Sequence, residues 1–350
     1  MRRYDVDWLR VLALGLLVIY HAVVSFQPWG HFIAFPVNKD PLEGLWILMA
    51  LINIWRIPIL FIISGMGLRF AMARRNWKAL LKDRTFRILI PYIFGFLIIG
   101  PVNLFISSLF YYEKAGVYIP NPGHLWFLGN IYIYVLLTLA ILVYIKNHPD
   151  NLLFRFLASS FKRPFGIYIM VLPFLLEVWL MAPESYSTYV GTDHGFWLGI
   201  LCFIAGFIFV SLKDVFWNAV DNIKKWALAL AGILYLIRVL VFALSPPNIL
   251  IAIESFSWML TILGFSSAYL NNPSKLLTYL SRAVYPVYII HLPMQYLASL
   301  YILNLEIPAI LKLATLIVVT IGGSLLIYHF MLNRIGRFGI LFGIYNKKKR

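Results

Sequence analysis

The residues of the first apolar segment that could do chemistry fall on one helical face. Arg10 and His21 are eleven residues apart. At about 100° per residue this spacing returns to within about 20° of the same direction, about 16 Å further along a helix. Asp7 precedes Arg10 by three residues, so these two side chains are expected to form an ion pair. Because imidazole transfers protons near neutral pH, His21 is predicted to be either an acid–base residue or a hydrogen-bonded structural one.

Arginines in two further segments have positions suited to anions. Arg56 lies near the middle of the second apolar segment, where a buried cation needs a carboxylate, carbonyl groups or an anionic ligand. An internal salt bridge is the alternative, although neither Glu177 nor Glu254 is an obvious partner by position. Arg84 and Arg87 end the most basic stretch and are three residues apart. A helix would present both guanidinium groups to phosphate oxygens, unless the pair serves only to set the membrane orientation.

Two later segments place histidine close to aromatic residues. His124 and Trp126 lie where an outer loop becomes the fourth apolar segment, and the tryptophan alone would be an interfacial anchor. The ninth segment carries a polar stripe at helical spacing, formed by Tyr285, Tyr288, His291 and Gln295. Such a stripe either binds substrate or joins neighbouring helices through hydrogen bonds.

Membrane-spanning helices must position all of these residues. Of the 350 residues, 61% are hydrophobic and 13% are charged, which excludes soluble, disordered and fibrous classes. Apolar runs of about 20 residues, the length that crosses hydrocarbon, recur about ten times. They lie near 8–27, 45–68, 88–110, 125–145, 165–182, 196–211, 227–244, 250–270, 284–303 and 309–332. The predicted fold class is therefore all-α, a polytopic membrane protein of about ten transmembrane helices.

The net charge of +16 reports mainly on membrane topology. With the amino terminus in the cytoplasm, only Lys39 and Lys114 of the 30 Lys and Arg residues fall on the outer side. Four more lie within spans, and the other 24 fall on the inner side. This asymmetry predicts that both termini are cytoplasmic. Attraction to the lipid bilayer explains the basic surface better than nucleic acid, which is not an expected partner.

The chain is expected to be a single integral-membrane domain over residues 1–350, with spans over about 8–332 and a basic cytoplasmic tail over 333–350. Asp5 and Asp7 lie just before the first span, Arg10 and His21 lie within it, and no cleavage site follows it. These features predict a retained helix rather than a signal peptide. The lone Cys202 is expected to pack as a small apolar residue. No His-Glu-x-x-His spacing or phosphate loop is present, so neither a metal nor a bound cofactor is predicted.

The same residues resemble a known family, the integral-membrane acyltransferase 3 family. The resemblance covers nearly the whole chain and rests on five motifs in order: Asp7-x-x-Arg10 with His21, Phe61-Ile-Ile-Ser-Gly65, Arg84-x-x-Arg87-Ile-x-x-Pro91, His124-Leu-Trp126-Phe-Leu, and Tyr285-x-x-Tyr288-x-x-His291. Within the family the chain is most similar to the branch that contains glucans biosynthesis protein C, which succinylates periplasmic glucans. An appended extracytoplasmic hydrolase-like domain is not expected at this length.

The resemblance implies transfer of an acyl group from cytoplasmic acyl-CoA to a hydroxyl of an extracytoplasmic glycan, at the inner membrane of a bacterium. It implies catalytic roles for His21 and Asp7, with His21 either a base or itself acylated. The implied substrate-binding residues are Arg10, Arg56, Arg84, Arg87, His124, Trp126, Tyr288 and His291. Of these, Arg10, Arg84 and Arg87 would bind the CoA phosphates, and Arg56 would hold the thioester carbonyl or an acyl carboxylate unless it is structural.

A secondary transporter of an organic anion or a lipid-linked sugar is the alternative function. It would use Arg56 and Arg238 as anion sites within the membrane and His21 as a proton relay. A transporter would neither hydrolyse acyl-CoA nor transfer its acyl group, which separates the two hypotheses.

Overall fold

The computed structural model describes residues 2–112 and 117–344, and the fold is all-α. Of the described residues, 80% are helical and none lies in a strand. The α-helices are α1 Tyr4–Val24, α2 Trp46–Met72, α3 Trp77–Arg84, α4 Ile90–Phe94, α5 Gly100–Tyr112, α6 Trp126–Asn147, α7 Leu152–Phe161, α8 Leu172–Met181, α9 Asp193–Ser211, α10 Asp214–Leu240, α11 Asn248–Tyr269, α12 Lys275–Ile302 and α13 Ala309–Ile327.

Shorter helical turns complete the chain. Three π-helical segments, Thr85–Leu89, Gly95–Ile99 and Tyr328–Leu332, continue neighbouring α-helices. The 3₁₀ segments are Pro28–Ile33, Glu43–Leu45, Gly123–Leu125, Gly166–Val171 and Gly336–Phe342. The structure does not describe Lys114 or the last four basic residues, 347–350. The side of the membrane on which these charges lie therefore stays a sequence prediction.

Within the described residues, seven helical stretches are long and apolar enough to cross a membrane, which confirms a polytopic membrane protein. They are Tyr4–Val24, Glu43–Met72, Trp77–Tyr112, Gly123–Asn147, Asp193–Ser211, Asn248–Tyr269 and Ala309–Leu332. Each of the other three predicted spans also overlaps a helix. Gly166–Met181 is shorter, α10 carries Lys224, Lys225 and Arg238, and α12 carries the polar stripe, which lowers their apolar character.

The chain folds as two compact units whose segments alternate along the sequence. The first unit comprises residues 1–10, 50–81 and 133–274, and the second comprises residues 11–49, 82–132 and 275–350. Helices α1, α2, α3 and α6 each contribute residues to both units.

In the first unit, glycines allow α2 and α9 to approach closely. A Cβ at Gly65 would lie 1.9 Å from the carbonyl oxygen of Phe203, and one at Gly206 would lie 1.9 Å from that of Ile62. Small residues at such crossings let membrane helices pack backbone to backbone. The same unit contains a buried bidentate ion pair between Arg238 of α10 and Glu254 of α11.

The second unit is organised around α12, which packs against α13 and α5. Its apolar core joins α1, the loop after it, α5 and α12 through Val24, Phe35, Ile106, Leu292 and Tyr296. Part of the expected tail folds here too, since Phe342 contacts Phe94 edge to face and Gly343 lies against the ring of Tyr285. Pro286 and Pro293 interrupt the hydrogen bonding of α12 and leave two of its carbonyl groups without their usual helical donors.

Candidate active site

Two histidines, one near the end of α1 and one in the middle of α12, form a direct hydrogen bond within the second unit. Nδ1 of His21 lies 3.0 Å from Nε2 of His291. The ring planes are parallel to within 1°, and the ring centroids lie 5.3 Å apart. His291 is fully buried, whereas His21 is half-buried. His21 is therefore the more accessible member of the pair.

The backbone carbonyl of Tyr288 anchors the other side of His291. Nδ1 of His291 donates to this oxygen at 2.7 Å. The Tyr288 hydroxyl donates in turn to the backbone carbonyl of His124 at 2.5 Å. The stripe predicted from helical spacing on α12 therefore joins helices through hydrogen bonds, and it does so beside His21.

A third histidine, His124, completes this cluster from the 3₁₀ segment that precedes α6. Its Nε2 donates to the carbonyl oxygens of Tyr288 and Ile289 at 3.0 and 3.2 Å, and its ring centroid lies 4.9 Å from that of His291. In a regular helix the Ile289 carbonyl would accept the amide hydrogen of residue 293. Because residue 293 is proline and has no such hydrogen, this carbonyl is available to His124.

Gln295 holds the backbone of α1 against α12 one turn beyond His291. Its Nε2 donates to the carbonyl oxygen of His21 at 2.8 Å and to Oγ of Ser25 at 3.3 Å. Phe35 lies beside His21, with ring centroids 5.7 Å apart. The position of the His21 imidazole is thus set from several sides.

The three histidines do not form a metal centre. The facing nitrogens of His21 and His291 are engaged with each other. In the ranges that the structure describes, no group of three His, Cys, Asp or Glu side chains could hold a metal ion. The cluster is therefore suited to proton transfer and hydrogen bonding.

Arg84 and Arg87 lie in the same unit, but a regular α-helix does not present them. Arg84 ends α3, and the chain changes to π-helical hydrogen bonding from Thr85 to Leu89. Nε of Arg87 donates to the buried carboxylate of Asp83 at 3.2 Å. Both guanidinium groups lie within electrostatic range of the Tyr285 hydroxyl on α12. Tyr285 belongs to the polar stripe that the sequence predicted on α12.

Asp7 and Arg10 form the predicted ion pair, in the first unit. Nη1 of Arg10 donates to Oδ1 of Asp7 at 3.2 Å, and Arg2 contacts the other carboxylate oxygen at 2.8 Å. Asp7 precedes His21 by fourteen residues along α1, which corresponds to about 21 Å of helix. The contacts of Asp7 with Arg2 and Arg10 point to a role through Arg10.

The remaining two predicted substrate-binding residues, Arg56 and Trp126, lie in the first and the second unit respectively. Arg56 is 2% exposed in the first unit, and its Nη2 donates to Oδ1 of Asn53 at 3.3 Å. The two buried carboxylates considered for it contact other groups: Glu254 binds Arg238, and Glu177 lies 2.8 Å from His194. Trp126 begins α6 two residues after His124 and is half-buried.

Comparisons with known proteins identify the family. No curated protein and no solved structure matches the chain. A family model for an acyltransferase domain matches residues 3–329, a range that contains every candidate site residue. The chain therefore belongs to the acyltransferase 3 family and is a multi-pass membrane acyltransferase.

Proposed function

We propose that this protein is an O-acyltransferase that moves an acetyl or succinyl group from cytoplasmic acyl-CoA to a hydroxyl of an extracytoplasmic glycan. The cytoplasmic membrane of a bacterium is the proposed location. One observation carries the proposal: in a chain of an acyltransferase family, a half-buried imidazole in a spanning helix is held by a second imidazole. That arrangement suits a base that must be both accessible and oriented.

In the proposed reaction, His21 takes the proton of the acceptor hydroxyl as its oxygen attacks the thioester carbonyl. The C–S bond then breaks, the CoA sulfur leaves, and the proton passes from His21 to that sulfur. Atoms and charge balance, and the products are a glycan ester and free CoA. The alternative is acylation of His21 itself, which would give an acyl-histidine before the acceptor binds.

The proposed donor site uses the basic residues at the inner side. Arg84 and Arg87 would bind CoA phosphates, because guanidinium groups pair well with phosphate oxygens. We propose the same role for Arg10, with Asp7 orienting it, and an interaction of Arg56 with the thioester carbonyl or an acyl carboxylate. The glycan would approach His21 from the opposite side of the bilayer, in the orientation that the charge asymmetry predicts.

Two measurements test the proposal. Protein purified in detergent should release CoA thiol from acetyl-CoA or succinyl-CoA, and His21→Asn should abolish the release while acyl-CoA still binds. Mass spectrometry of surface and periplasmic glycans from cells with and without the gene should reveal the acyl group and its carrier. No thioester cleavage with either donor, together with unchanged glycans, would overturn the proposal. Isolation of acylated His21 would select covalent catalysis over general-base catalysis.

A further inference from the structure

We infer that His291 is a positioning residue that fixes His21 in the tautomer with hydrogen on Nδ1 and a lone pair on Nε2. This inference rests on the proposed function, in which His21 is the base. It gives His291 a role other than direct substrate binding.

The Tyr288 carbonyl fixes the hydrogen position in His291. A carbonyl oxygen can only accept, so Nδ1 of His291, 2.7 Å away, must carry the hydrogen. In a neutral imidazole the second nitrogen then has a lone pair. Nε2 of His291 is therefore an acceptor, and it is the atom that faces His21.

His21 must then be the donor in the histidine pair. Its Nδ1 lies 3.0 Å from the accepting nitrogen, the distance of a good N–H···N hydrogen bond, and the ring planes are parallel to within 1°. With hydrogen on Nδ1, a neutral His21 has its lone pair on Nε2. Nε2 is thus the nitrogen that can accept the proton of an acceptor hydroxyl.

A protonated His291 would reverse this assignment, and its surroundings disfavour that state. His291 is 0% exposed, and burial of an unpaired charge is costly. Its hydrogen-bonding and ring neighbours are His21, His124 and Tyr288. No carboxylate in the part of the chain that the structure describes forms a salt bridge with it.

The Tyr288 carbonyl, at which this series of hydrogen bonds ends, is itself constrained. His124 donates to the same Tyr288 carbonyl at 3.0 Å, and Gln295 holds the carbonyl of His21 from the same helix. The direction of hydrogen bonding therefore runs from His21 to His291 to a fixed backbone oxygen. When His21 accepts a proton at Nε2, the lone pair of His291 also stabilises the resulting imidazolium, as the partner of a catalytic histidine does in hydrolytic triads.

Replacement of His291 by Gln or by Asn distinguishes a residue that positions His21 from one that only fills space. The amide of Gln extends to about the position of histidine Nε2, whereas that of Asn reaches only the position of Nδ1. His291→Gln can therefore still accept from His21, but His291→Asn retains only the contact with Tyr288. Measured as CoA release with acetyl-CoA, His291→Gln should stay within about tenfold of wild type, while His291→Asn and His291→Phe should lose about 10²-fold or more. KM for acetyl-CoA should not change in any of them.

A second readout is independent of activity. In protein labelled with ¹⁵N-histidine, long-range ¹H–¹⁵N spectra distinguish ring nitrogens with and without hydrogen, and His21→Asn identifies the signals. Wild type should show His21 with hydrogen on Nδ1, and His291→Phe should lose this preference. Hydrogen on Nε2 of His21 in the wild type, or equal activity of the Asn and Gln variants, would overturn the inference. If the wild type cleaves no acyl-CoA, the proposed function fails, whereas the spectra still decide the tautomer.

Discussion

Nδ1 of His21 is hydrogen-bonded to Nε2 of His291 at 3.0 Å, and this contact occupies only one of the two ring nitrogens of His21. A replacement can therefore keep the contact and remove the other nitrogen. In His21→Asn the side-chain amide takes about the position of Nδ1, so the interaction with His291 is retained.

We expect His21→Asn to abolish glycan acylation. Loss of general-base assistance lowers a rate by about 10² to 10⁴, whereas thermal stability and acyl-CoA affinity should remain near wild type. Transfer to glycan, detected by mass spectrometry, is the measurement, and His21→Gln is the companion variant. If both variants retain more than about a tenth of the activity, a smaller loss than removal of a base gives, His21 is not the base. His124 or His291 would then be the next candidate.

Removal of Arg84 or Arg87 should weaken binding of acyl-CoA. A charge-assisted contact with phosphate contributes about 1.5–3 kcal/mol, so Arg84→Ala and Arg87→Ala should each lower affinity by tenfold or more. Lys82→Ala is the matched control, because this exposed lysine lies in the same basic stretch. Calorimetric titration with acetyl-CoA measures the effect. Equal affinities for all three variants would show that the arginines act only in membrane orientation.

The close crossing of α2 and α9 predicts a sharp contrast between two glycines. Gly206→Ala places a methyl group 1.9 Å from the Ile62 carbonyl oxygen. The backbone of α2 cannot rotate away from this methyl group as a side chain could. We expect a loss of about 1–3 kcal/mol in stability, seen as a lower unfolding temperature. At Gly232 in α10 nothing lies within 4 Å of the new Cβ, so Gly232→Ala should not destabilise. A loss of similar size at both glycines would contradict the packing argument.

The ion pair of Arg238 and Glu254 should be structural. Glu254→Ala leaves a buried guanidinium without its carboxylate, and removal of one partner of such a pair costs about 3–5 kcal/mol. The double variant Arg238→Met, Glu254→Leu should recover most of that stability and keep acyl-transfer activity. If the stable double variant loses transfer or substrate binding, Arg238 is a substrate-binding residue, as the transporter hypothesis requires.

Much of the fold could be predicted from sequence because its causes are local. Hydrophobic runs long enough to cross a bilayer predicted the spans, and the three-residue spacing predicted the contact between Asp7 and Arg10. Helical spacing also identified the polar stripe on α12. It could not predict that Arg84 and Arg87 straddle a change from α- to π-helical geometry, because the sequence has no clear signal for that change.

The contact between His21 and His291 was beyond the reach of sequence patterns. It depends on how α1 and α12 pack, and 270 residues separate the two positions. One local signal was present, since Pro293 removes the amide that would occupy the Ile289 carbonyl. A proline one turn after a buried carbonyl marks a place where another side chain can donate, and His124 does so.

The alternation of the two units along the sequence has a consequence for biogenesis. At about 5–20 residues per second, the ribosome needs roughly 14–54 s to proceed from His21 to His291, 270 residues later. During that time the polar face of α1 is already made, while its partner helix is not. A nascent chain halted before α12 therefore cannot assemble the histidine pair, and the site forms only after α12 has been synthesised.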